Sequence, residues 1–179
     1  MSNQKEKKDL KTEIFEWVKE IGIAVLIALF ITKFMFTHIV VPTPSMMPTI
    51  QCDDHLMVNK IPMYYRNPER GEIVVFHGTD KELIKRVIGL PGEVIDIRDG
   101  NVYIDGEILE EEYLSVDLLT KAVGNLSYPY EIPEDNYFVM GDNRTNSQDS
   151  RYIGTVERDQ IHAVANLRIW PLNSIGNIN

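Results

Sequence analysis

One uncharged apolar run divides this chain and limits what the remainder can be. Ile21 to Thr32 carries no charge, and after Lys33 apolar character resumes through Phe34, Met35, Phe36 and then Ile39 to Val41. Together these supply roughly the 20 residues that a helix needs to cross a bilayer. Lys33 sits toward one end, where its long stem can snorkel to the headgroups. The sequence thus predicts one transmembrane anchor over residues 21–41. Residues 1–20, with Lys5, Lys7, Lys8 and Lys11 crowded together, read as a cytoplasmic basic tail. Lysines ahead of a first span place the N-terminus inside the cell membrane and the bulk of the chain on its outer face. A cleaved signal peptide has the same order of basic and apolar segments. Because the residues after the run are bulky from Phe34 to Val41, with no small-x-small pattern, the retained anchor is favoured.

Of 179 residues, those from 42 to 179 leave room for one compact extracytoplasmic domain. A formal charge of −9 speaks against a nucleic-acid binder, since phosphate contacts need clustered Lys and Arg. Cys52 is the one cysteine and cannot form an internal disulfide. No Cys/His cluster has zinc-site spacing, so neither a metal nor another cofactor is implied. A monomer is expected.

Beyond the apolar run the pattern changes to period two. His55 to Asn59, Glu72 to His77, Leu83 to Ile88, Val94 to Arg98, Val102 to Ile104, Tyr137 to Met140 and His162 to Trp170 read as strands. Asp99-Gly100, between two alternating runs, is a hairpin signal. Glu107 to Glu134 is acidic and weakly periodic, and reads as an exposed excursion. An all-β domain behind one helix follows.

Three places carry possible chemistry. Prolines at 42, 44 and 48 disfavour helix and predict a stiff extended loop presenting Ser45; a plain linker has the same composition. A serine nucleophile needs a base. His38, His55, His77 and His162 have no feature that singles one out. A lysine serves if burial lowers its pKa, and Lys85, flanked by Leu83, Ile84, Val87, Ile88 and Leu90, is so placed unless it lies on the wet face of its strand. The segment from Met140 to Arg151 is either an ordinary polar loop or a local ion-pair network beside a site.

Taken in order, Pro44-Ser45-Met46-Met47-Pro48-Thr49, Asp54 to Lys60, Lys85-Arg86-Val87-Ile88-Gly89-Leu90-Pro91-Gly92, and Gly141-Asp142-Asn143-Arg144 through Ser147 to Asp149-Ser150-Arg151 resemble the boxes of the type I signal peptidases. With the apolar run, the resemblance covers most of the chain, and its length is similar to the compact Gram-positive forms. It implies a mixed-β peptidase domain of the signal-peptidase and repressor-autoprotease type. It makes Ser45 the nucleophile and Lys85 the general base. It makes Ser147 the serine that orients the lysine amine, and puts Asp149 and Arg151 in a bracing pair with Asp142 and Arg144 in the same supporting loop. The Ser45 N–H and the Thr43 hydroxyl would form the oxyanion hole, and Val41 and Ile84 would line pockets for small substrate residues. The sequence departs from the family pattern at Asp53, where Gly is usual, at Glu93, where Asp is usual, and at Thr43, where Ser is common.

The resemblance implies a membrane-bound serine endopeptidase that removes signal peptides from exported preproteins after small residues, with the lipid bilayer as its second partner. Two other readings stay open: a soluble Ser/Lys autoprotease of the repressor-cleaving type, and an anchored β-module that binds partners without catalysis.

Overall fold

The computed structural model describes residues 10–78, 80–114 and 118–178. Lys5, Lys7 and Lys8 of the expected basic tail therefore lie outside the described residues. Helix α1 (Leu10–Phe34) is followed by strands β1 (Phe36–Val40), β2 (His55–Asn59), β3 (Ile73–His77), β4 (Glu82–Gly89), β5 (Val94–Arg98), β6 (Asn101–Ile104), β7 (Glu107–Ile108), β8 (Tyr130–Glu131) and β9 (Asn136–Met140). Then come the single turn of helix α2 (Ser150–Ile153) and strands β10 (Val156–Glu157), β11 (Ile161–Trp170) and β12 (Gly176–Asn177).

Helix α1 is exposed along its length, with no buried residue. Among the described residues no helix is long and apolar enough to cross a membrane. Lys19 and Glu20 precede the uncharged stretch and Lys33 follows it, so that stretch spans only ~18 Å as helix. The apolar residues beyond Lys33 do not lengthen it. Phe36–Val40 forms β1, paired antiparallel with β2 from Phe36↔Asn59 to Val40↔His55. Alternation explains this: Ile39 packs on the core while Val40 is exposed, a period-two pattern that suits a strand.

Two antiparallel sheets form the domain. The larger runs β1-β2-β11-β3-β4-β9-β10, with β12 also on β11; the smaller runs β7-β6-β5-β8. All seven strands expected from periodicity are present within a residue or two of their expected ends. β3 and β4 are central in the larger sheet, so Ile73 to Phe76 are buried on both faces. That reads in sequence as an unbroken apolar run. Asp99 and Gly100 turn the β5–β6 hairpin with φ of 51° and 82°, the left-handed pair a two-residue hairpin turn requires.

Glu107 to Glu134 is not the exposed excursion its acidity suggests. Leu109, Tyr113, Leu126, Tyr128 and Tyr130 pack against the core of Ile88, Ile95, Val102, Ile132 and Phe138. Thr120 is 2% exposed. Its described residues fold back as a strap beside the smaller sheet, with Leu109, Tyr113, Leu126 and Tyr128 packed on the core and the Glu111 carboxylate turned to buried Arg144.

Candidate active site

Pro44–Met46 is one turn of 3-10 helix rather than an extended loop, with Pro44 in its first turn and Met47 N–H donating to Pro44 O at 3.1 Å. Proline is accepted there because a first-turn N–H has no partner within the helix. Val41 N–H donates to Asp54 O at 3.0 Å and Asp53 N–H to Val41 O at 2.8 Å, which close the loop at its base. Asp53 has φ of 64°, a left-handed conformation that glycine takes freely and Asp tolerates. The departure at that position is thus structural. So is Glu93, which accepts from Leu90 N–H at 2.7 Å and pairs with Arg70.

Lys85, opposite Val74 on β3, is 2% exposed. Its Nζ donates to Ser45 Oγ at 2.8 Å and to Ile84 O at 2.8 Å. Burial lowers its pKa to about 8; Asp149 pulls the other way, Lys81 adds to the lowering, and Asp142 opposes it in turn. Most of the amine is still protonated at pH 7, with a substantial neutral fraction just above. A buried amine of this kind beside a hydroxyl can exchange a proton with it. Thr43 Oγ1 lies 3.4 Å from Ser45 Oγ. Val41, Thr43, Ser45, Ile84 and Lys85 line one cleft of about 280 Å³ between the end of β1 and the first half of β4.

The loop after β9 holds this arrangement from behind. Asn143 N–H donates to Ser45 O at 3.0 Å and its side-chain amide to Pro44 O at 3.1 Å. A β-carbon on Gly141 would overlap both the Ser45 carbonyl and the Ser147 hydroxyl, so only glycine fits. Asp149 and Arg151 make a local fork, Nε to Oδ1 and Nη2 to Oδ2 both at 2.8 Å. Asp149 also accepts from Gly141 N–H at 3.1 Å.

Asp142 and Arg144 share that loop but do not pair with each other through their side chains. Arg86, next to Lys85, forks onto Asp142 at 2.9 and 2.7 Å, and Thr49 Oγ1 donates to the same carboxylate at 2.5 Å. Arg144 reaches out to the strap, where Glu111 accepts a forked pair and Thr120 Oγ1 takes a bond at 2.6 Å. Tyr113 places its ring 3.9 Å from the Arg86 guanidinium carbon and donates to Glu111 at 2.5 Å. Every one of these charges except the strap's own is nearly fully buried. Sequence reading gave no role to Arg86, Gly141, Asn143, Glu111, Tyr113 or Thr120. Arg86, Gly141 and Asn143 lie inside the family-like motifs; Glu111 and Thr120 left no signal, because their partner is 33 and 24 residues away.

Ser147 differs from expectation. Its Oγ is buried and has no hydrogen-bond partner among the described residues, and the Lys85 amine is met by Ser45 and Ile84. None of the four histidines is brought to Ser45. His38 Nε2 lies 3.0 Å from His55 Nδ1, and His77 stacks on His162 with ring centroids 4.3 Å apart. Cys52 is free and exposed.

The family model for signal peptidase, peptidase S26, matches residues 14–170. A signal peptidase I of Bacillus amyloliquefaciens is 37% identical over 98% of each chain. One of Leptolyngbya laminosa is 38% identical over 92% of this chain and 84% of its own, and signal peptidase I S of Bacillus subtilis strain 168 is 38% identical over 94% and 96%. A crystal structure of a signal peptidase I from Enterococcus faecalis is similar at 35% identity, with a TM-score of 0.47, over 55% of this chain and 97% of that one. A match running from within α1 to the end of β11, with relatives this similar across nearly all of their length, means that the chain belongs to the signal peptidase family, peptidase S26.

Proposed function

We propose that this chain is a membrane-associated serine endopeptidase that cleaves signal peptides from exported preproteins after small residues, with Ser45 as nucleophile and Lys85 as general base. The observation that carries this is the 2.8 Å approach of a buried lysine amine, its pKa lowered to about 8 by burial, to the hydroxyl of a serine at the floor of a cleft.

Neutral Lys85 accepts the Ser45 proton as Oγ attacks the scissile carbonyl. The resulting oxyanion takes hydrogen bonds from the Ser45 N–H and the Thr43 hydroxyl, donors that count most in the transition state. The protonated lysine returns its proton to the leaving amine. A water activated by the same amine then hydrolyses the acyl-enzyme. The supporting charges are already paired with one another, and among the described residues the amine that hydrogen-bonds the serine is that of Lys85.

Val41 and Ile84, which line the cleft together with Ser45, support a preference for small side chains. β4 pairs with β9 from Arg86 onward. Over Glu82 to Lys85 no described strand pairs on that side, so an extended substrate can add its backbone there.

Helix α1 supports a single-pass anchor because Leu26, Leu29 and Phe30 are 68%, 60% and 59% exposed, apolar surface that water does not tolerate over such a length. Its uncharged stretch is short for a full hydrocarbon core, so the span requires Lys19, Glu20 and Lys33 to reach the interfaces. In this reading the N-terminus is cytoplasmic and the domain faces outward. The same surface argues against a soluble autoprotease.

Cleavage of a purified preprotein in detergent by the intact chain, Ser45→Ala and Lys85→Ala, with product masses read by spectrometry, tests the proposal. Cutting after a small residue by the intact chain alone supports it. Undiminished cutting by Lys85→Ala overturns the dyad, and no cutting by the intact chain overturns the peptidase reading.

A further inference from the structure

We infer that the chain has a second site, adjoining the Ser45 cleft through Glu82, which binds a divalent transition-metal ion of the Zn²⁺ class through His77, Glu82 and His162. These three residues offer one ligand atom each, all within 4.8 Å of one another. The sequence hides the set because it is assembled from three strands. His77 ends β3 and stands directly opposite Glu82, the first residue of β4. The irregular register between Ile161 and Ala163 on β11 brings His162 to the same place, where its ring stacks on that of His77.

The geometry fits the chemistry. His162 Nε2 lies 3.2 Å from Glu82 Oε1, and a tetrahedral ion with ligands at ~2.0–2.1 Å holds its donors about 3.3 Å apart. His77 is exposed, so its ring can turn to close the remaining gap. The surrounding pocket, about 380 Å³ and shared with Lys60 and Arg158, leaves room for a water as fourth ligand. Arg158 is held by the carbonyls of Met63, Arg66 and Ile161. Lys60 is the one opposing charge that lines the pocket without such a clamp. Two imidazole nitrogens and one carboxylate oxygen select a borderline ion over Ca²⁺ or Mg²⁺, which prefer oxygen shells. Bound there, the ion would join the β3–β4 hairpin to β11. It would also withdraw from the substrate cleft the Glu82 carboxylate, since Glu82 lines both pockets.

The test is calorimetric titration of the untagged full chain, in detergent and stripped by chelator, with ZnCl₂. One equivalent is expected to bind and to raise Tm. His77→Ala, Glu82→Gln and His162→Gln should each weaken binding by at least about tenfold. His38→Ala, which alters the other histidine pair, should leave it unchanged. His77→Ala decides the matter even if the half-buried His162 variant folds poorly. Failure of the intact chain to take up Zn²⁺, unaltered binding by His77→Ala, or loss of binding in His38→Ala overturns the site. None of these outcomes depends on peptidase activity.

Discussion

Gly141 is packed so closely against the Ser45 carbonyl that a β-carbon would overlap it and the Ser147 hydroxyl together. One of the obstacles is main chain of the nucleophile turn itself, so relief must come by moving Ser45. Gly141→Ala is therefore expected to lower kcat by roughly 100-fold or more, as a displacement near 1 Å does, and to destabilise the fold by about 1–3 kcal/mol. Circular dichroism should still report a folded chain while preprotein cleavage is nearly lost.

The amine of Lys85, with its pKa lowered to about 8, sets the expected pH dependence. The base must be neutral, so kcat/KM on a peptide substrate should rise about tenfold per pH unit below pH 8 and level off above it. A profile that is flat from pH 6 to 9 would remove Lys85 as the base.

Burial of the same amine also bears on stability. At pH 7 Lys85 is mostly protonated in the folded chain and fully so in the unfolded one, so the whole burial penalty is present. The penalty falls away as pH climbs from about 8 toward the unfolded value. Lys85→Met should accordingly be inactive yet more stable at pH 7 by about 3 kcal/mol, with the difference shrinking by pH 10. Denaturant melts at the two pH values measure it.

Thr43 Oγ1, 3.4 Å from Ser45 Oγ, is proposed to meet the oxyanion. Thr43→Val keeps the shape and removes the donor, so kcat should fall by about 100-fold with KM little changed. Thr43→Ser should retain most activity. Equal losses in both variants would point to packing instead.

Arg144, fully buried in its side chain, depends on Glu111 from the strap. Glu111→Ala leaves that guanidinium without its carboxylate and should cost about 3–5 kcal/mol, read as a fall in the urea midpoint. Glu111→Gln, which keeps an acceptor, should recover part of the loss.

Strand positions were legible because β2, β3 and β5 obey simple period-two or nearly fully apolar patterns. The Asp99-Gly100 turn was legible because few residue pairs accept two positive φ values. Lys85 stood out from its apolar flanks, whereas its approach to Ser45 spans 40 residues and has no local trace. The end of the helix was misread because Phe36 to Val40 is apolar enough to prolong a span. Only its pairing with β2, through contacts such as Phe36↔Asn59 and Val40↔His55 that no local pattern shows, turns it into a strand. The strap was misjudged for the opposite reason: its many acids conceal an inward row of Leu109, Tyr113, Leu126 and Tyr128.

Between the last residue of α1 and the first of β1 stands Met35 alone, and Met35 O accepts from Lys60 N–H at 2.9 Å. There is no slack in that joint. With α1 in a bilayer, the five residues of β1 become a measuring arm at most ~17 Å long, and Ser45 works at one height above the lipid. A substrate would then be chosen partly by how far its scissile bond stands from its own apolar segment. Glycines inserted beside Met35 should loosen that choice while leaving the chemistry intact.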